Sequence, residues 1–267
     1  MLREKITCLI FSCDKFSDLW DGNLKMFNKN WPDHDFDIYI VSDKETDRQI
    51  DGVTILCPGA DVEWTDRLKY ALHFVTTEYV LLTLDDYFLI KPVKSEIINR
   101  YIQLMDDGEY DYLRLFKRPK AATRNVVDGF DGVYHVDNSV EYSVNLYTCI
   151  WRKEFLAYTV KEPQNAWNYE ITLHESAVSY KAHCLVSYND DFVILDVVRK
   201  GKILRNANRY FKKHPGIYTG NRPLQSISFE TKLWFKTMAA RYTPSFLVNT
   251  VRKIYLFFGG TSFAKTH

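Results

Sequence analysis

Two carboxylates stand side by side at the end of an apolar run, in Thr83-Leu84-Asp85-Asp86-Tyr87-Phe88. Adjacent like charges beside a buried strand cost free energy unless protons or a cation neutralise them. A divalent ion held by one or two carboxylates and completed by substrate phosphates is one solution. A solvated acidic pair at a strand-to-turn junction is the plain alternative. A second constellation is Asn165-Ala166-Trp167-Asn168-Tyr169-Glu170, which sets an acid and an aromatic at the start of a helix. A carboxylate there suits a general base within reach of a hydroxyl, and an indole offers a flat apolar face to a sugar ring. An acid favoured by the helix N-terminus is the competing reading, and Glu175, further along the helix, is the competing acid. A third constellation, Val197 to Arg205, holds Arg199, Lys200, Lys202 and Arg205 around Gly201; a basic loop folded over a diphosphate and a plain solvated loop both suit it.

These groups need elements to position them. Apolar runs predict strands over Ile6 to Ser12, Phe36 to Val41, Val53 to Leu56 and Tyr79 to Leu84. Between them lie helical patterns: one capped by Ser17 and ending near Trp31-Pro32, one capped by Thr65 or Asp66, and one opened by Pro92 and ending at Asp107-Gly108. Strands alternating with helices give an α/β fold with a mainly parallel sheet. Ligands of such sheets bind at the carboxyl ends of the strands. That rule points to Ser12, Asp14, Asp43, Asp85 and Asp86, with Arg67 at a helix start where anions are favoured. Later strands are expected over Tyr112 to Phe116, Val144 to Trp151, Cys184 to Tyr188 and Phe192 to Val198, with a helix from Asn168 to Lys181.

The run Thr77 to Leu89, with Asp85-Asp86 at its polar end, resembles the acidic-motif strand of GT-A-fold glycosyltransferases. It is especially similar to bacterial enzymes that make capsule or lipopolysaccharide sugars. The order of elements before it also matches, including a helix that opens on Asp66-Arg67. The resemblance covers roughly residues 5 to 200. It implies a Rossmann-like GT-A fold and a nucleotide-sugar donor, with Ser12, Asp14, Asp43, Asp66, Arg67, Asp85, Asp86, Arg199 and Lys200 on the donor side. It further implies Trp167 at the acceptor, Glu170 as general base, and Asp86 as ligand of a divalent metal, manganese or magnesium. The usual acids two apart are replaced here by an adjacent pair, so metal dependence stays open. Inversion follows if Glu170 is the base; retention is the alternative outcome.

The 267 residues carry a net charge of +1, unevenly spread. From Arg199 onward there are 14 Lys and Arg against one acid, Glu230, so the preceding residues sum to −12. Three parts are expected: 1–110 as the nucleotide-sugar half, 111–205 as the acceptor half of the same domain, and 206–267 as a basic amphipathic helical tail. Trp234, Phe235, Leu247, Ile254, Tyr255 and Phe258 fall on helical faces with basic neighbours. This pattern suits docking of residues 226–267 on an anionic membrane surface near a lipid-linked acceptor; packing on the core or a homodimer is the other use. A cytoplasmic protein, peripheral on the inner membrane face, is the resulting expectation. Met1 to Phe16 reads as a first strand rather than a signal peptide. The five cysteines have no Cys-x-x-Cys spacing and suit reduced thiols. Two other classes compete. A nucleotidyltransferase acting on sugar phosphates calls for a glycine-rich loop after the first strand, and Phe11 to Phe16 has no glycine. A nucleic-acid or anion-binding protein calls for one exposed basic stripe, whereas here basic and apolar residues interleave, so no nucleic-acid partner is expected.

Overall fold

The computed structural model describes residues 2–117 and 120–242, without the side chains of 236–242. The first half runs β1 (Ile6–Phe11), α1 (Trp20–Asn30), β2 (Ile38–Val41), β3 (Val53–Leu56), α2 (Trp64–Leu72), β4 (Tyr79–Leu84), β5 (Tyr87–Leu89) and α3 (Ser95–Asp107). The second half adds β6 (Tyr112–Arg114), β7 (Thr123–Val127), β8 (Phe130–Val136), β9 (Cys149–Arg152), α4 (Lys153–Thr159), α5 (Ala166–Tyr180), β10 (Cys184–Ser187), β11 (Ile194–Asp196), β12 (Val198–Arg199), β13 (Lys202–Ile203), α6 (Arg205–Lys213) and α7 (Ile227–Tyr242).

Nine strands form one sheet in the order β3-β2-β1-β4-β9-β6-β10-β8-β7. The first four are parallel, and within this sheet only β9 and β8 run against the rest. The α/β, mainly parallel fold expected from the sequence is therefore present. Its central strands β1 and β4 are buried on both faces, so they read as unbroken apolar runs. Side chains of β1 alternate: Ile6, Cys8 and Ile10 join Trp20, Leu24, Ile98 and Ile102 in one core. Leu9 and Phe11 join Leu68, Leu72, Phe155 and Leu173 in the core on the opposite face. Each such buried leucine or phenylalanine contributes about 1.5–3 kcal/mol. The five cysteines are unpaired, and Cys8, Cys149 and Cys184 are buried.

Several local expectations change. A 3-10 segment, Asp14–Leu19, precedes α1, and Ser17 caps nothing. The N-cap of α2 is Glu63, not Thr65 or Asp66, because the Thr65 hydroxyl is spent on the Glu162 carbonyl at 2.9 Å. Helix α3 starts at Ser95, beyond Pro92. The β7–β8 hairpin, α4 and α6 have no counterpart in the sequence-based expectations. Part of the segment grouped with the tail packs inward: Ala207, Phe211 and Ile217 share a third core cluster with Phe88, Leu195 and Val197. The first expected tail helix is α7, with Ile227, Trp234 and Phe235 exposed. The second, after Thr243, lies outside the described residues.

Candidate functional site

The chain order 3-2-1-4 reverses between β1 and β4, which makes a topological switch point. Register makes their carboxyl ends level: Phe11 pairs with Leu84 and with Val41. Ser12, Ser42 and Asp85 are thus the first residues past three adjacent strands, each tied back by a backbone hydrogen bond of 2.9–3.1 Å to the neighbouring strand.

The two adjacent acids have different surroundings. Asp85 faces inward, where its carboxylate accepts from the Ser12 hydroxyl. That hydroxyl in turn accepts from the Trp20 indole at 2.6 Å. Asn23 donates to the carbonyls of Asp85 and Tyr87 at 2.9 and 3.0 Å, pinning the turn between β4 and β5. Asp86 has no such network: its Oδ1 is buried without a hydrogen-bond partner. Burial, then the charges of Asp85 and Asp196, raise the Asp86 pKa well above the ordinary aspartate value. Burial likewise raises that of Asp85, against the Ser12 hydrogen bond.

Asp196 is the residue that the sequence-based site omitted. Strand β11 pairs antiparallel with β5, and Asp196 lies opposite Tyr87. Its Oδ1 is also buried and unpartnered, while Oδ2 accepts from Arg199 Nε at 2.8 Å. An acid inside the apolar run Phe192 to Val198 was the available signal, since a charge among buried apolar residues costs free energy unless something compensates it. The segment expected as a basic loop is a tight hairpin, β12–β13. Lys200 and Gly201 form its two-residue turn at φ 51° and 72°. Arg199 turns in to Asp196, and Lys200 is exposed at the tip.

Opposite stands α5. The Asn165 side chain accepts from the Asn168 N–H at 3.0 Å and caps the helix. The preceding segment is fastened to α2, since Thr65 bonds Glu162 and Gln164 and Trp64 packs against Tyr169. This fastening brings Glu170 to the site. Its carboxylate accepts a long 3.4 Å hydrogen bond from the Leu146 N–H. Burial raises its pKa above the glutamate value, against the Leu146 N–H and the Arg199 charge. Burial, then the charges of Glu170 and Asp196 against that of Arg199, raise the Tyr147 pKa above the ordinary tyrosine value. Tyr147 stacks on Tyr87 at 6.0 Å and 11°. Trp167, one turn before Glu170, is 53% exposed. Glu175 is exposed, and His174 bonds the Ile171 carbonyl at 2.7 Å rather than Glu170.

The remaining residues expected on the donor side cluster at the end of β1. Arg67 donates to the Ser12 carbonyl at 2.7 Å and leaves its Nε buried without a partner. Asp66 shares its helical turn. The Asp14 N–H donates to Asp43 Oδ1 at 2.6 Å, joining the turns after β1 and β2. The Asp14 carboxylate points outward to Lys44 at 3.3 Å.

The sheet order and its switch point define a Rossmann-like α/β fold. S. aureus TarS is similar at a TM-score of 0.50 and 15% identity, over 74% of this chain and 37% of that one. The 1–349 portion of S. aureus TarS, solved with UDP, is similar at a TM-score of 0.50 and 14% identity, over 70% of this chain and 59% of that one. A cytidylyltransferase from Leptospira borgpetersenii serovar Hardjo-bovis gives a TM-score of 0.45 at 12% identity, over 83% and 99% of the two chains. The chain therefore spans less than two thirds of either TarS structure. At these identities the likeness establishes the fold. No family model and no curated protein matches the sequence.

Proposed function

We propose that the protein transfers a sugar from a nucleotide-sugar donor to a carbohydrate acceptor, with Glu170 as general base. One observation carries this reading: Arg199, ion-paired with Asp196 at 2.7 Å, also acts through its charge on the Asp86 and Glu170 carboxylates, so the three acids share one charged neighbourhood. A base on one side and a leaving-group site on the other is what inversion at a sugar carbon requires. The raised pKa suits the task, because a carboxylate with greater proton affinity abstracts the acceptor proton more readily. Arg67, Arg199 and the backbone past β1 supply positive character for a diphosphate. A nucleotidyltransferase is disfavoured by the turn after β1, which has no glycine and closes as a 3-10 segment rather than as an open phosphate loop.

A divalent cation suits the two buried, unpartnered oxygens of Asp86 and Asp196. Among the described residues no three His, Cys, Asp or Glu side chains gather into a cage, so phosphate oxygens and water would complete the shell. Bound there, the ion would neutralise charge on the departing nucleoside diphosphate. Manganese and magnesium both fit oxygen ligands of this kind. Trp167, exposed on the same face of α5 as Glu170, is assigned to the acceptor.

The exposed Ile227, Trp234 and Phe235 of α7, in a strongly basic segment, support docking on the anionic inner face of a membrane, beside a lipid-linked acceptor in cell-surface polysaccharide synthesis. No helix among the described residues is long and apolar enough to cross a membrane. The deciding experiment for the reaction is a thermal-shift screen against UDP, GDP and CDP, with and without manganese, followed by donor-hydrolysis assays with the sugar nucleotide of whichever binds. Absence of a shift with every nucleotide would sink the reading.

A further inference from the structure

The chain that follows α6 turns back across the site and ties its two sides together. On one side Arg222 grips the 3-10 segment after β1. Its Nε donates to Asp18 Oδ2 at 2.9 Å and its Nη2 to Asp18 Oδ1 at 2.6 Å. Nη2 also donates to the Lys15 carbonyl, and the guanidinium lies 4.2 Å from the Phe16 ring centre. Tyr218 adds a hydrogen bond to Asp18 at 2.9 Å. On the other side Gln225 donates to the Arg199 carbonyl at 3.1 Å, and its backbone N–H donates to the Ile203 carbonyl at 2.8 Å. Between them Ile217 is buried in the third core cluster. Its carbonyl passes so near α1 that a Cβ on Gly22 would sit 2.1 Å from it.

The two gripped segments are the ones that carry the donor-side groups. Asp14 immediately precedes the Arg222 contacts, and Arg199 ends the first strand of the hairpin that Gln225 holds. Resting on the nucleotide-sugar reading above, we propose that the strap 215–225 is a positioning element for the donor diphosphate, with Arg222 as its latch. The latch fixes the turn after β1 against Asp85 and Arg199, so the site is set before the nucleotide arrives. Four tethers on a side chain that is 11% exposed fit a fixed latch and not an arm held in reserve for phosphate. A bidentate, ring-stacked contact of this kind is specific to arginine.

The test is calorimetric titration of the full chain with UDP, GDP and CDP in the presence of manganese. The nucleotide that binds wild type should bind Arg222→Ala and Asp18→Asn about tenfold more weakly, and Arg222→Lys should not recover the loss. The charge-reversed pair Asp18→Arg with Arg222→Asp should recover part of it, which a general loss of folding would not allow. Melting temperatures without nucleotide identify any variant that fails to fold; Asp18→Asn and Arg222→Lys remain decisive if Arg222→Ala does. Equal affinity in wild type and the folded variants overturns the latch alone. Tighter binding by Asp18→Asn also overturns it, since Asp18 would then be an anion standing in for phosphate. Failure of all three nucleotides to bind wild type removes the nucleotide-sugar reading and the latch with it.

Discussion

Replacing Glu170 by glutamine is the sharpest test of the proposed chemistry, because the change keeps shape and hydrogen-bonding reach while removing the base. The 3.4 Å contact from the Leu146 N–H survives, since a glutamine oxygen accepts it as well. The N-terminus of α5 stays fastened through Asn165 and Thr65, so the fold and donor site are unaffected. General-base catalysis contributes about 10²–10⁴-fold, so the variant should lose that factor in transfer rate, equivalent to about 3–5 kcal/mol of barrier. Nucleotide affinity, measured by titration, should stay within about twofold, as expected for a group that acts only in the transition state. The wild-type rate should rise with pH through the Glu170 titration, because only the carboxylate accepts a proton. Burial raises that pKa, so the acid limb lies above the ordinary glutamate range. A Glu170→Gln enzyme with near-normal rate, or one whose acid limb is unchanged, would refute the assignment.

Asp86→Ala should abolish transfer and the manganese-dependent thermal shift while leaving the far-ultraviolet dichroism unchanged; a retained metal response would remove Asp86 and its pairing with Asp196. Because burial raises the pKa values of Asp85 and Asp86, the folded state binds their protons more tightly than the unfolded chain does. The stability they contribute is full in acid, below the ordinary carboxylate pKa, and is lost as pH rises through the raised values, which for Asp85 means up to about 7. Metal-free Asp86→Asn should therefore melt about 2–4 °C higher than wild type at neutral pH, the shift of roughly 1 kcal/mol in a chain of this size, and calorimetry at two pH values checks it. Asn165→Ala should cost about 1 kcal/mol in denaturant unfolding through loss of the α5 cap. Trp234→Ala with Phe235→Ala should reduce co-sedimentation with anionic vesicles in low salt; equal recovery in the supernatant for wild type and variant would end the membrane assignment.

The first half of the sheet was legible in the sequence because its signals are local. Tyr79 to Leu84 is an apolar run of strand length that ends on two acids, and both the strand and the edge it points to follow from that pattern. What escaped depends on contacts distant in sequence. Asp196 becomes a site residue only because β11 pairs with β5, about a hundred positions earlier. Thr65 looks like a helix cap until the segment near Glu162 arrives to take its hydroxyl. The β7–β8 hairpin escaped because Thr123 to Val127 is largely exposed and carries Arg124 and Asn125, so no apolar alternation marks it. Arg222 carries no signal in its own neighbourhood; its meaning comes from Asp18.

Strand β9 carries a consequence for synthesis on the ribosome. It is inserted between β4 and β6, antiparallel to both. The four-stranded parallel half can therefore assemble as soon as residue 84 has emerged, yet the outer edge of β4 stays unpaired until residues 149–152 follow. Unpaired edges of apolar strands recruit other chains. A nascent chain stalled anywhere between these points would present Tyr79 to Leu84 as a bare template, and this interval is where a ribosome-associated chaperone should be found bound.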